Sequence, residues 1–413
     1  MRLAEVDRRL LGVSLALMAY GLLTLYSAGQ TDVPTHAAGV WYHQFLWFGI
    51  GIVAGSVVFH LSPRLLEWLA PALYLFSLLL LVVVLAVGTG AGTALSSHSW
   101  LSIGGHQIGQ PSEFAKVATV LMLARYLSSR KEPPRSLRDL LGPGIIVGIP
   151  FLLVLKQPDL GSAIVFIGIA FAMLFWSGVR PRLLFMIASP GLSLLLAFNN
   201  WAWGAWVVCF TTLLVLWRPY IYDALMAWFA NVAMGAIALP LWQRLAPYQQ
   251  NRLLTFLNPE ADPRAAGYHA IQSRVAIGSG GWFGTGYTQG PQKRLAFLPE
   301  QHTDFVFPVV GEELGFVGVM LALGLFLALF LTLLRIARRA TDPFSSLVTF
   351  GILGLLFTHV FENVGMTVNL MPITGIPLPF FSYGGSFFII CALCLGLAFR
   401  VAWDSRQSGY PDI

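Results

Sequence analysis

Long apolar runs separated by short polar breaks dominate the chain. Residues 69–87, LAPALYLFSLLLLVVVLAV, carry no charge and are long enough to cross a hydrocarbon layer as a helix. Reading each run between its breaks predicts twelve helices, near 9–28, 43–61, 70–89, 112–129, 142–156, 161–178, 183–200, 203–217, 222–240, 305–335, 345–361 and 382–399. The three between 183 and 240 are divided only by FNNWAWG and WRPYIYD. The expected fold is an all-α polytopic membrane protein, one integral-membrane domain over 1–413.

Composition agrees. Of 413 residues, 56% are hydrophobic and 11% charged, less than half the roughly 25% charge of soluble domains. The net charge of +6 raises nucleic acid as a partner, but its distribution argues against one. Arg2, Arg8, Arg9, Arg64, Arg125, Arg130, Lys131, Arg135, Arg138, Arg180, Arg182, Arg218, Arg335, Arg338, Arg339, Arg400 and Arg406 fall in alternate connections. The short connections near 29–42, 90–111, 201–202 and 362–381 hold no Lys or Arg. By the positive-inside rule both termini are expected in the cytoplasm. The first run is too long for a signal-peptide core and reads as an uncleaved anchor. Cys209, Cys391 and Cys394 all lie in apolar runs, which predicts packing rather than disulfides or metal.

Residues 243–304 break the charge rule by placing six basic residues on the expected outer side. Long loops escape that rule, and a loop of this length is uncommon unless functional. Within it, Tyr268, Ile271, Val275 and Ala270, Arg274 recur at helical spacing before the glycines at 278, 280 and 281. That pattern predicts a short amphipathic helix in the outer interface.

The loop also holds the stretch FLNPEADPRAAGYH. Asp262 precedes Pro263, which drives its backbone away from the helical region. A lone Asp-Pro is most often a turn, yet Arg252, Arg274, Lys293, Arg294, His269 and His302 share the loop and could bind an anionic head group. Asp262 or Glu260 could act as a base there, and spacing does not separate them. In the membrane runs, Glu113 and Lys116 stand at i, i+3 and can pair on one face. Ionisable groups in a span usually face a bundle interior or wet cavity, although a structural ion pair explains this pair about as well. Lys156 and Asp159 sit at a helix end, where snorkelling suffices. Glu312 and Glu313 open the run after the loop, and at most one is expected to face a given groove. Glu362 and Asn363 end a helix before a Pro/Gly-rich segment and SYGG at 382–385. Such broken backbone at membrane depth must be buried in protein or line a cavity. No nucleotide, dinucleotide or thiol-rich metal motif occurs. GSGGWFGTG follows no strand, so it is a weak nucleotide-binding candidate. No cofactor is implied, and a divalent cation is left open.

The segments QPSEFAK, KQPDLGSA, NRLLTFLNPEADP, AGYHAIQSRVAIGSGGWFGTG, FLPEQHTDFVFPVVGEELGFVG and GIPLPFFSYGGS resemble those of the SEDS family (shape, elongation, division and sporulation), from about residue 100 to the end. They are closer to its elongation-type than to its division-type members. The resemblance implies a peptidoglycan glycosyltransferase polymerising lipid II on the outer face of the bacterial cytoplasmic membrane. It also implies a class B penicillin-binding protein as transpeptidase partner. It matches Asp262 to the family's essential loop aspartate, Glu113 and Lys116 to its membrane-embedded pair, and Asp159 to the aspartate of QPDLG. Arg252, Arg274, Lys293 and His302 are then candidates for substrate binding or support. Family members are usually read with ten spans, so 183–240 is expected to contain an added helical pair. A lipid II flippase and a non-catalytic cell-wall scaffold are the rival readings. A flippase needs charges through the membrane depth, and a scaffold should tolerate loss of Asp262.

Overall fold

The computed structural model describes residues 6–33, 35–89, 99–103, 106–245, 247–261 and 267–407, and every predicted apolar run lies on a helix. In chain order these are α1 (Arg8–Ala28), α2 (Val40–Phe59), α3 (Pro63–Val87), α4 (Pro111–Ser128), α5 (Leu141–Lys156), α6 (Leu160–Trp176), α7 (Pro181–Leu196), α8 (Asn200–Trp217) and α9 (Ile221–Arg244). The long loop contains α10 (Pro247–Leu257), α11 (Tyr268–Ser279) and the short α12 (Pro291–Arg294). After it come α13 (Val306–Arg339), α14 (Pro343–Thr367) and α15 (Gly385–Gln407). One departure from the all-α expectation is a small antiparallel hairpin before α4, β1 (Leu101–Ile103) with β2 (His106–Gly109). Among the described residues, nine helices are long and apolar enough to cross a membrane. Helices α6 and α7 are apolar but shorter, and α4 carries Glu113, Lys116 and Arg125 along its length.

Helix starts follow the local chemistry. Asp7, Ser62, Asp159, Asn199 and Asp342 each accept a hydrogen bond from a first-turn amide of α1, α3, α6, α8 and α14, satisfying donors that a helix leaves open. Proline follows the cap in α3 and α14, where its missing N–H costs nothing.

Helices α4, α14 and α15 are the most enclosed, with α1, α6 and α13 around them. Helix α2 lies directly on α15 because Gly51, Gly55 and Gly396 let the backbones approach: a Cβ on Gly55 would meet the Ala392 carbonyl, and one on Gly396 the Gly55 carbonyl. Small residues serve this purpose where lipid offers no hydrophobic drive between helices. Cys391 and Cys394 are buried free thiols in α15, packing residues as their setting predicts.

Helices α7 to α9 form a side unit around their own cluster of Met186, Phe210, Leu214 and Ala227. Asn231 Nδ2 donates to Ser189 Oγ at 2.8 Å, and its Oδ1 accepts from Trp206 Nε1 at 3.0 Å. The unit meets the bundle through α6, through the Leu137 amide donating to Asp223 Oδ1 at 3.2 Å, and through Arg138 stacked 3.9 Å over Tyr222.

Candidate functional site

A cluster of ionisable groups is enclosed between α4 and α14. The i, i+3 spacing of Glu113 and Lys116 brings Nζ to 2.8 Å from Glu113 Oε1, with both side chains almost wholly out of solvent. Lys116 Nζ also lies 3.0 Å from His359 Nε2. A lysine ammonium only donates, so Nε2 is the acceptor and the ring proton belongs on Nδ1. Nδ1 faces the Pro377 carbonyl at 3.3 Å. One turn further along α14, at i+3 and i+4 from His359, stand Glu362 and Asn363, both fully buried. Asn363 Nδ2 donates to the carbonyls of Asp304 (2.9 Å) and Ile376 (2.6 Å). Both carboxyl oxygens of Glu362 are enclosed without a well-formed hydrogen bond, although the Thr374 hydroxyl neighbours the group. Burying that many polar groups is costly, which marks the cluster as more than filler.

The Pro/Gly-rich segment after α14 closes over this cluster. Ile376, Leu378, Phe380 and Phe381 are buried, so the broken backbone is packed inside protein. Its polar groups are met by His359 and Asn363, and by Ser382 Oγ, which accepts from the Leu378 amide (2.7 Å) and donates to the Thr303 carbonyl (2.6 Å). SYGG thus joins this segment to the LPEQHTDF stretch, where the Tyr383 amide donates to the His302 carbonyl at 2.8 Å. Burial holds the His302 imidazole below its ordinary pKa, with Glu300 pulling the other way.

The glycine-rich loop after α11 has a structural task. Helix α13 is interrupted at Gly315, whose φ of 63° and ψ of −159° no other residue adopts readily. The interruption frees carbonyls before it and amides after it. The Thr285 and Gly286 amides donate to the Glu312 and Glu313 carbonyls, and the Phe316 and Val317 amides donate to the Gly281 and Trp282 carbonyls, all at 2.9–3.1 Å. Side chains would prevent this contact: a Cβ on Gly280 or Gly284 would strike the backbone of Gly311 or Glu313. Just before the break, Glu312 and Glu313 are both buried, each with its own partners. Glu312 accepts from the Gln292 amide at 2.6 Å and the Lys293 amide at 3.3 Å. Glu313 pairs with Lys293 Nζ at 2.6 Å, and that ammonium also donates to Ser27 O and Oγ. Burial lowers the Lys293 pKa, and Glu313 opposes the shift.

The predicted site residues therefore separate. Glu113 and Lys116 pair as expected. Asp159 caps α6 through the Ser162 amide (3.0 Å) and accepts from Gln110 Nε2 at 2.6 Å, which binds it to the start of α4. Lys293 is fully enclosed at α13, facing inward where the sequence suggested an open cation. Arg274 is exposed on α11. That helix buries Ala270, Ser273 and Ala276 against α13 and α14, while Val275, read from the sequence as part of an apolar face, is 44% exposed. Arg252 lies on α10, and its side chain, like the whole of Asp262, lies outside the described residues. Glu260 is exposed in a single 3₁₀ turn, Pro259–Ala261. Both flanks of the Asp262 stretch are tied to one place. Asn369 Nδ2 donates to the Phe256 carbonyl at 3.4 Å, and Ser273 Oγ to the Thr367 carbonyl at 2.6 Å. Thr367 ends α14, little more than a turn beyond Glu362 and Asn363. Among the described residues no group of three or more His, Cys, Asp or Glu is placed to hold a metal ion.

Sequence reasoning did not find His359 as the second partner of Lys116, or Glu313 as the partner of Lys293. The available signals were a lone histidine within an apolar run and the doubled glutamate. Neither names a partner hundreds of residues or a whole loop away.

Spans of this number, with an enclosed ionisable cluster beneath a structured loop, define a multi-pass membrane protein with a polar centre at its loop-bearing end. The chain belongs to the FtsW/RodA/SpoVE family of cell cycle proteins, whose model matches residues 8–407. It is 36% identical to the peptidoglycan glycosyltransferase RodA of Treponema pallidum, covering 98% of each chain. It is 35% identical to the peptidoglycan glycosyltransferase MrdB of Escherichia coli K12, over 96% of this chain and 93% of that one. Among solved structures it resembles a chain of a peptidoglycan synthase complex that coordinates polymerization and crosslinking (TM-score 0.71, 30% identity, 97% and 99% coverage). It also resembles the rod shape determining protein RodA of Thermus thermophilus (TM-score 0.61, 28% identity, 98% of both chains).

Proposed function

We propose that this protein is a peptidoglycan glycosyltransferase that polymerises lipid II during cell elongation, with Asp262 as the general base. The acceptor 4-hydroxyl loses its proton to the Asp262 carboxylate as its oxygen attacks the donor's anomeric carbon. The bond from that carbon to the lipid diphosphate breaks, and the diphosphate leaves with the electron pair. A sugar hydroxyl is a poor nucleophile, so a positioned base is needed, and the leaving group needs charge stabilisation. Arg252 and Arg274, on the helices flanking Asp262, are the cations for that task. Lys116, oriented by Glu113 and His359, and His302 support the site from below. All twelve predicted runs span the bacterial cytoplasmic membrane in this reading, with both termini cytoplasmic and the loop outside. Helices within 183–240 are an addition to a ten-span core, and a class B penicillin-binding protein is the crosslinking partner.

The observation carrying this reading is the tethering of both flanks of the Asp262 stretch to the end of α14, beside the buried cluster. The test is purified protein incubated with labelled lipid II, with and without the transpeptidase partner. We expect Asp262→Asn to lose polymer by about 100-fold or more, the usual scale for a general base, while Glu260→Gln retains it. Polymer persisting in Asp262→Asn sinks the assignment, and lipid II translocation without polymer in the native protein favours a flippase.

A further inference from the structure

The clasp at the α13 break carries a feature that the proposed chemistry does not use. Its tip presents two adjacent large aromatics outward, Trp282 at 70% exposure and Phe283 at 81%. The Trp282 ring sits edge-on to Phe316, 5.1 Å between centroids. Phe316 begins an exposed apolar face of α13 that continues through Val317, Met320 and Leu321. Aromatics exposed at a loop tip would ordinarily be an aggregation hazard in water. Here they extend the very surface that faces lipid.

Depth fits as well. Residues 316–334 rise about 28 Å as a helix, close to the roughly 30 Å of a hydrocarbon core. The basic residues Arg335, Arg338 and Arg339 follow directly. If those arginines mark one membrane surface, the backbone bonds from Phe316 and Val317 to Gly281 and Trp282 lie at the other. Tryptophan favours that boundary because its ring is apolar and its N–H is polar.

We infer that Trp282 and Phe283 are a membrane-interface wedge: they seat in the head-group layer of the bilayer and fix the height of the loop through the Gly315 clasp. The partner of this surface is lipid. Neither residue belongs to the proposed catalytic machinery, so the inference stands apart from the assignment of Asp262.

The test is spin labelling of the full chain in phospholipid nanodiscs. Cys209→Ser removes the exposed thiol, while Cys391 and Cys394 are buried. Single labels go at Phe283→Cys and, separately, at Trp282→Cys. Gln289→Cys, exposed on the same loop, serves as the aqueous reference and Met320→Cys as the membrane reference. Collision with molecular oxygen, which partitions into lipid, is compared with collision with a water-soluble nickel chelate. The inference expects an oxygen-to-nickel ratio several-fold higher at 283 than at 289, and lower than at 320. A ratio at 283 equal to that at 289 overturns it. So does a label shielded from both reagents, which would mean that protein covers the tip. The label at 282 reports the same boundary if substitution at 283 disturbs the fold.

Discussion

At the scale of single residues, the pair of Glu113 and Lys116 shows how burial turns a modest attraction into a requirement. Removing one member of such a pair leaves a buried group without its partner, which costs roughly 3–5 kcal/mol. We expect Glu113→Gln or Lys116→Met to lower the unfolding temperature of the detergent-purified protein accordingly. The double variant Glu113→Leu with Lys116→Met should recover much of the loss, since no charge is then stranded. Single variants as stable as the native chain would show that water reaches the pair. Half of this arrangement was legible beforehand. The spacing of Glu113 and Lys116 announces a shared helix face, whereas His359 reaches Lys116 only once α14 has packed on α4. Lys293 illustrates the opposite failure. In sequence it is one of several loop cations, and only the folded packing of the loop on α1 and α13 shows that it faces Glu313 and Ser27.

At the scale of elements, apolar length was enough to find the long helices, because a span needs little more than its hydropathy and two polar ends, whereas α10 in the loop lies outside every apolar run. What escaped was the interruption of α13. VVGEELGFVG reads as continuous helix, and a glycine inside an apolar run gives no sign of its φ. The glycines of GSGGWFGTG read as a helix end and a weak nucleotide-binding candidate, yet their absent side chains are what admit the backbone of α13. The consequence is a sign difference between glycines of one helix. Gly315→Ala should destabilise by about 1–3 kcal/mol from backbone strain alone, before its collision with Gly284. Gly324→Ala, where nothing lies within 4 Å of the added carbon, should be neutral or stabilising by up to ~1 kcal/mol. Thermal unfolding of the two variants checks both, and equal effects would contradict the clasp. Gly284→Ala should behave like Gly315→Ala, since it meets the same backbone from the other side.

At the scale of the whole molecule, the distribution of Arg and Lys assigns a direction to the bundle that can be tested without activity. In a Cys209→Ser background, a thiol introduced at Gln289 should react with a membrane-impermeant maleimide applied to intact cells with permeable outer layers. One introduced at Lys131 should react only after the membrane is opened. The reverse pattern would invert the topology and remove the proposed site from an extracytoplasmic substrate. The side unit of α7 to α9 meets the bundle through α6, and Trp201 at its end is 90% exposed. The clasp has its own molecular consequence. It joins a loop to a span through four main-chain hydrogen bonds, none of which depends on an ionisable side chain. Raising salt or shifting pH should therefore leave it closed while surface ion pairs such as Arg294 with Asp32 loosen. In deuterated buffer the amides of Thr285 and Gly286, although in a solvent-facing loop, should exchange as slowly as those of Phe316 and Val317 in the span, and all four should be released together.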